Sequence, residues 1–432
     1  MRGASVRFRT KWTGRAAIPV VAVVAVALIA AGCGSSSKKS SSSNTTATTA
    51  APKTSRGFDG HTVTVAGLGI KGQLPGAEFG AEGRIKRFND TNELPGVKIN
   101  YAEFADDKLD PATALSESRR LVTEDKVFAI VGDISANNPG DYFKQQHVPY
   151  FGWAFDNTYC TDAPSKDVWG FGYNGCLVPA APKVMPDTYA NFYGFVSKQL
   201  NKKNPTVAEF SNDNTSGHNS TKYASFQLKG VGFNVVYAKG SVPLPPVSDY
   251  TPYVQQFMTS DGGHPPDAIV CLLAVDCIPI YKGLVAAGYK DYYFHNLYAD
   301  TLAAPMKGSY ASVTFTAFDI PSDGYTQMKT DVAAIKPDYA IDTGVFAGYT
   351  STDMFIQALK AAAKSGGISP ENVQAHAANQ TWEIKGFAGP TKYPDSSVKP
   401  TPACNSLTYS DGTSWKTVVP YTCSDKVWPT TG

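Results

Sequence analysis

The chain has 432 residues, of which 42% are hydrophobic, 12% aromatic and 18% charged. That length suits two or three domains, and the apolar share excludes a disordered chain. The formal charge of +2, from 39 basic and 37 acidic side chains, offers no basic face and excludes a nucleic-acid partner.

The charges are unevenly placed. Arg2, Arg7, Arg9, Lys11 and Arg15 precede an apolar run from Ala16 to Gly32, with no acid in the first 32 residues. A basic start, an apolar run and small residues at its end predict an export signal over 1–32. Ala30-Ala31-Gly32-Cys33 resembles a bacterial lipobox, which implies lipidation at Cys33 and attachment to the outer face of the cell membrane. Residues 33–57 are Ser/Thr-rich with almost no apolar content, as a tether would be. Without the signal, 34 cations face 37 acids, a net −3, and the body beyond the tether is net −7. Six further Cys fall into sequence-local pairs, and in an exported chain they predict bridges Cys160–Cys176, Cys271–Cys277 and Cys404–Cys423. Their spacing and the scattered His argue against a metal site.

From His61 onward strands and helices alternate. Thr62–Ala66 is short and β-branched. Ala77 to Phe88 has helical spacing, Val97–Tyr101 alternates, and Pro111–Leu121 opens with Pro after Asp110. Val127–Val131 is an apolar run of the kind buried on both faces of a parallel sheet, and Pro139–Gln146 and Val148–Phe151 follow. The rhythm then restarts with helices predicted at 185–200, 221–228, 250–258 and 280–287. Between them stand strands at 206–210, 233–237, 267–272 and 292–297. A strand at 312–318 and helices at 326–334 and 344–363 come later. The fold class is α/β, with two Rossmann-like lobes on parallel central sheets. Lobe 1 is expected over 58–175 plus 320–385, and lobe 2 over 176–319 plus 386–432.

In order, VTVAGLGIKGQLPGAEFGAEGRIKRFND (Val63–Asp90), DDKLDPATALSESRRLV (Asp106–Val122), VFAIVGDISANNP (Val127–Pro139), HVPYFGWA (His147–Ala154) and KNPTVAEFSNDNTSGHNS (Lys203–Ser220) carry a resemblance. Over most of residues 58–385 the chain resembles the type I periplasmic solute-binding proteins of ABC importers, closest to the branched-chain amino acid and amide-binding branch. The resemblance implies three crossovers, near 170–180, 318–324 and 384–392. It also implies lobes that close on a small-molecule ligand, a membrane-bound permease as partner, and a monomer.

Ligands of open parallel sheets sit beyond the carboxyl ends of the strands. Ser135, Ala136 and Asn137 follow one such strand; helix capping explains them from residue type, and the resemblance implies ligand contact. Ala154 and Phe155 follow the next strand. There Phe155 and Asp156 stand where the family holds a carboxylate with a small residue and Thr, which argues against an ordinary α-amino acid. Trp153 and Phe155 either stack on ligand or pack locally. The resemblance places Phe79 as an aromatic lid in the first loop and Thr215 and Ser216 in the first loop of lobe 2. It also places Tyr298 and Asp300 where an acid pairs with an ammonium group, with Asp276 as the second acid.

Gly67, Gly69 and Gly72 match GxGxxG, but Pro75 and Gly76 delay the helix that a dinucleotide needs, so no cofactor is expected. GxSxG, HExxH and GxxxxGK[ST] do not occur. The sequence reads as a lipid-anchored solute-binding protein and not an enzyme. A sensor of the same fold and a secreted hydrolase are the alternatives.

Overall fold

The computed structural model describes residues 54–154, 156–160, 167–179, 181–273, 276–396 and 399–430. The expected signal segment, Cys33, the tether up to residue 53 and Phe155 lie outside the described residues. Lobe 1 opens with β1 (Thr62–Gly69), α1 (Gly76–Asp90), β2 (Lys98–Asp106), α2 (Pro111–Thr123), β3 (Ala129–Asp133), α3 (Gly140–Gln145), β4 (Tyr150–Gly152) and β5 (Gly170–Gly172). The strands form one parallel sheet in the order β2-β1-β3-β4-β5. β3 is buried along its whole length, as its continuous apolar run requires. Asp110 caps α2, accepting the Thr113 N–H at 2.7 Å, and Pro111 fills the first helical position, where no N–H is needed.

Lobe 2 follows with β6 (Val184–Pro186), α4 (Ala190–Leu200), β7 (Thr206–Asn212), α5 (Thr215–Val231), β8 (Asn234–Val242), α6 (Thr251–Met258), β9 (Ala268–Cys271), α7 (Cys277–Ala286), β10 (Tyr292–His295) and β11 (Tyr310–Val313). Its parallel strands run in the order β8-β7-β9-β10-β11, the order of lobe 1 repeated. The chain then returns with α8 (Asp323–Ala333), α9 (Thr343–Ser365) and α10 (Pro370–Ala377), followed by the hairpin β12 (Thr381–Ile384) and β13 (Ala388–Lys392). α9 packs against α1 and across β3 and β4, which places this stretch in lobe 1. β14 (Ala403–Ser410) and β15 (Trp415–Ser424) extend the lobe 2 sheet antiparallel beyond β11. β16 (Val427–Pro429) pairs with β6. The antiparallel extension is absent from the sequence expectation of parallel sheets alone.

Lobe 1 owes its rigidity to close helix packing and buried charge. A Cβ on Gly80 would lie 2.2 Å from the Val345 carbonyl, and one on Gly348 would lie 2.0 Å from that of Ala77, so only glycine lets α1 and α9 touch. Arg84, 3% exposed, binds Glu93 and Asp353 at 2.7 Å each, and Trp382 Nε1 donates to Asp353 at 3.0 Å. The charges are paired and hydrogen-bonded, as burial demands.

The three disulfides join Cys160 to Cys176, Cys271 to Cys277 and Cys404 to Cys423. Arg56, assigned to the tether from its composition, belongs to the folded body. Its guanidinium donates to the carbonyls of Val127, Gln146 and His147. Among the described residues no helix is long and apolar enough to cross a membrane.

Candidate functional site

The strand order changes direction between β1 and β3, and again between β7 and β9. Connections on either side of such a point leave to opposite faces, which opens a crevice at the carboxyl ends of the strands. A cavity of about 240 Å³ lies there, lined by both lobes. Lobe 1 contributes Ile70 and Gln73 after β1, Ala136 after β3, Trp153 after β4, and Tyr173 and Asn174 after β5. Lobe 2 contributes Ser211 and Asn212 at the end of β7, Ser216 in α5, Leu273 and Asp276 after β9, Asn296 after β10, and Thr314 and Phe315 after β11.

The chain crosses between lobes within 173–183, 314–322 and 385–402. Two of these segments are stitched together beside the cavity. Tyr393 Oη accepts the Gly172 N–H at 2.8 Å, and Asp395 accepts the N–H of Cys176 at 2.6 Å and of Thr401 at 3.0 Å. Burial pushes the Asp395 carboxyl up to about 7, although these N–H groups pull it down.

A family model described as a periplasmic binding protein matches residues 60–401. The chain belongs to that family. Among solved structures, this binding protein is similar to an ABC transporter substrate-binding protein of Aeropyrum pernix. The TM-score is 0.68 at 15% identity, over 84% of this chain and 96% of that one. A fatty acid ABC transporter substrate-binding protein from Thermomonospora curvata gives 0.68 at 15% identity, over 86% and 95%. A branched-chain amino acid ABC transporter structure from Thermus thermophilus with bound valine gives 0.63 at 15% identity, over 84% and 96%. These likenesses show the fold. No curated protein matches the sequence.

Of the residues anticipated from sequence, Ala136 and Ser216 line the cavity of this binding protein, as do Trp153 and the second-choice acid Asp276. Ser135 and Asn137 do not. The Ser135 hydroxyl is buried and donates to Asp107 Oδ2 at 2.5 Å while accepting the Asn137 N–H at 3.2 Å. Asn137 Nδ2 donates to the Leu109 carbonyl at 3.1 Å. Asp133 accepts from Ser135 N, Asn138 Nδ2 and Tyr159 Oη, and Asp156 accepts from Asn138 N and Thr158 N. The loop after β3 therefore spends four of its donors on the protein's own carboxylates and both donor groups of Asn137 on Ser135 and Leu109. Burial raises all three acids, Asp156 to about 6.

Five other expectations need correction. Phe79 is not in a loop: it sits within α1, edge-on to Tyr339 with ring centroids 4.8 Å apart, outside the cavity lining. Thr215 opens α5 and is exposed, because the Asn214 side chain caps the helix six residues earlier than the apolar spacing suggests. Tyr298 is a core residue. It is 2% exposed among Phe315, Phe318 and Trp415, and its hydroxyl accepts the Phe318 N–H at 3.2 Å. Asp300 is exposed in a short 3-10 turn, away from the cavity. Ala154 is buried at a φ of 57° and packs toward Gly172 instead of the cavity.

Sequence reasoning missed Gln73, Asn174 and Asn296. Each follows the carboxyl end of a parallel strand, so strand ends alone carried the signal. Asp276, whose carboxyl burial raises, accepts the Tyr250 hydroxyl.

Proposed function

We propose that this chain is the extracytoplasmic solute-binding component of an ABC importer, held to the membrane by a lipid on Cys33. It captures a small polar organic solute, amino acid-like or amide-like, between its two lobes and delivers it to the permease. The observation that carries this reading is the cavity between lobes of equal strand order, lined by the strand-end loops of both. A ligand touching both lobes has its polar groups satisfied only when they come together, and hinge closure follows from that difference. The three crossovers beside the cavity are the segments able to act as the hinge.

Trp153 in the lining supplies an intrinsic fluorescence probe. Titration with amino acids, amides and small carboxylic acids, followed by fluorescence and thermal unfolding, tests the reading. A ligand present at about 100 times its Kd raises stability by roughly 2.7 kcal/mol. No saturable response from any compound class would overturn the assignment. For the anchor, Cys33→Ala is expected to release the protein from membranes, and full retention would refute it.

A further inference from the structure

We infer that the cleft selects an uncharged solute, with a carboxamide-like donor–acceptor group on an apolar body, and that Gln73, Asn174 and Asn296 read that group. The inference rests on the solute-binding reading and narrows it.

Charge is the first argument. The cavity lining contains no Lys, Arg or His among the described residues, and its one carboxyl, Asp276, already takes the Tyr250 hydroxyl. A carboxylate entering the cleft would lose its hydration with no counter-charge to replace it. The loop after β3 offers little in exchange, because Ser135 Oγ and the N–H groups of Ser135, Asn137 and Asn138 are engaged within the protein, which leaves the Ala136 N–H as a single uncharged donor beside the cavity. Asp107, Asp133 and Asp156 accept three of those donors, and none of the three acids lines the cavity. An ammonium group would find Asp276 alone, partly occupied and disfavoured in its charged form by burial.

Unsatisfied amides are the second argument. Buried polar atoms in folded proteins nearly always have hydrogen-bond partners, and those that lack one ask for an explanation. Gln73 Oε1, both terminal atoms of Asn174, and Asn296 Oδ1 are buried without a partner, and all three residues line this one cavity. They come from lobe 1, from the end of its last strand, and from lobe 2. Carboxamides both donate and accept without charge, which matches a neutral group that does the same. The apolar walls, Trp153, Leu273 and Phe315 among them, suit the rest of the solute.

The test uses the full chain with benzamide, benzoate and benzylammonium, the matched trio of isovaleramide, isovalerate and isoamylammonium, and leucine. Calorimetry is expected to rank the neutral member of each trio at least about tenfold tighter than its charged partners. Asn296→Leu and Asn174→Leu are expected to weaken amide binding by about tenfold or more. They should leave the melting temperature of the unliganded protein unchanged or raised, because the atoms removed have no partner to lose. A fall in that melting temperature would mean that the amides serve the fold, and would overturn their assignment. Tighter binding of a carboxylate, an ammonium or leucine would overturn the ligand class while leaving the solute-binding reading intact. No binding by any probe at millimolar concentration would overturn both.

Discussion

Lobe 1 and lobe 2 share one strand order but treat the cleft differently. In lobe 1 the loop after β3 is closed on itself, with Asp107, Asp133 and Asp156 absorbing its donors, and the body behind it is locked by Arg84, Glu93 and Asp353. In lobe 2 the corresponding loop after β9 is held by the Cys271–Cys277 bridge and presents Leu272, Leu273 and Asp276 to the cavity. Lobe 2 also supplies most of the lining and carries the antiparallel β14–β15 extension. One scaffold thus yields a wall whose loop after β3 is satisfied by internal acids, and a facing wall whose corresponding loop is pinned by a disulfide and lines the cavity. Topology set the place of the site; the non-local partners of each loop set its chemistry.

Four experiments would break or sharpen this contrast. The largest effect is expected from Arg84→Ala, which takes the buried cation from between Glu93 and Asp353 and leaves them to Lys360 and to the Trp382 N–H. A loss of about 3–5 kcal/mol by urea unfolding is expected. A loss below 1 kcal/mol would mean that the network does not lock the lobe.

Next is Asp156→Asn. Burial raises this carboxyl from 3.8 to about 6, so its stabilising protonated form is fully retained below the unfolded value near 4 and is lost as pH rises through about 6. The stability of the wild type relative to the variant should therefore fall by roughly 3 kcal/mol between pH 4 and 7 and stay level above that. A difference independent of pH would show the acid to be ionised throughout.

Replacing both Cys271 and Cys277 with Ser should cost about 2 kcal/mol, the figure for a loop this short. It should also weaken ligand binding, because the bridge spans cleft-lining residues. Unchanged affinity would remove the bridge from the site. The smallest effects belong to two helix caps. Asp110→Ala in lobe 1 and Asn214→Ala in lobe 2 should each cost about 1 kcal/mol. Only the second should alter affinity, since Asn214 lines the cavity and Asp110 does not.

Much of the fold was legible. The strand at 127–131 announced itself by an unbroken apolar run, α2 by Asp110 and Pro111, and the two lobes by a rhythm that occurs twice. The hairpin of β14 and β15 was not. Its Ser/Thr/Tyr-rich strands become a sheet extension by pairing with β11, about a hundred residues away. Less of the site was legible. Ala136 and Ser216 line the cavity, but Asn296 stands where Tyr298 was expected, two residues off, because side-chain direction after a strand depends on the loop that follows.

Taken alone, the sequence determined local matters: which segments are strands or helices, where caps and turns fall, that two α/β units repeat, and which Cys are near enough to pair. Those follow from side-chain shape, periodicity and short loops. Tertiary structure decided which polar groups are free. Ser135 looks like a ligand contact until Asp107, 28 residues earlier, is found to hold it. Gln73, Asn174 and Asn296 look like ordinary loop residues until the fold buries atoms of all three without partners in one cavity. Hydrogen bonding is settled by which atoms the fold brings together: for Ser135 the partner comes from the end of another strand, and for the three amides the fold brings none.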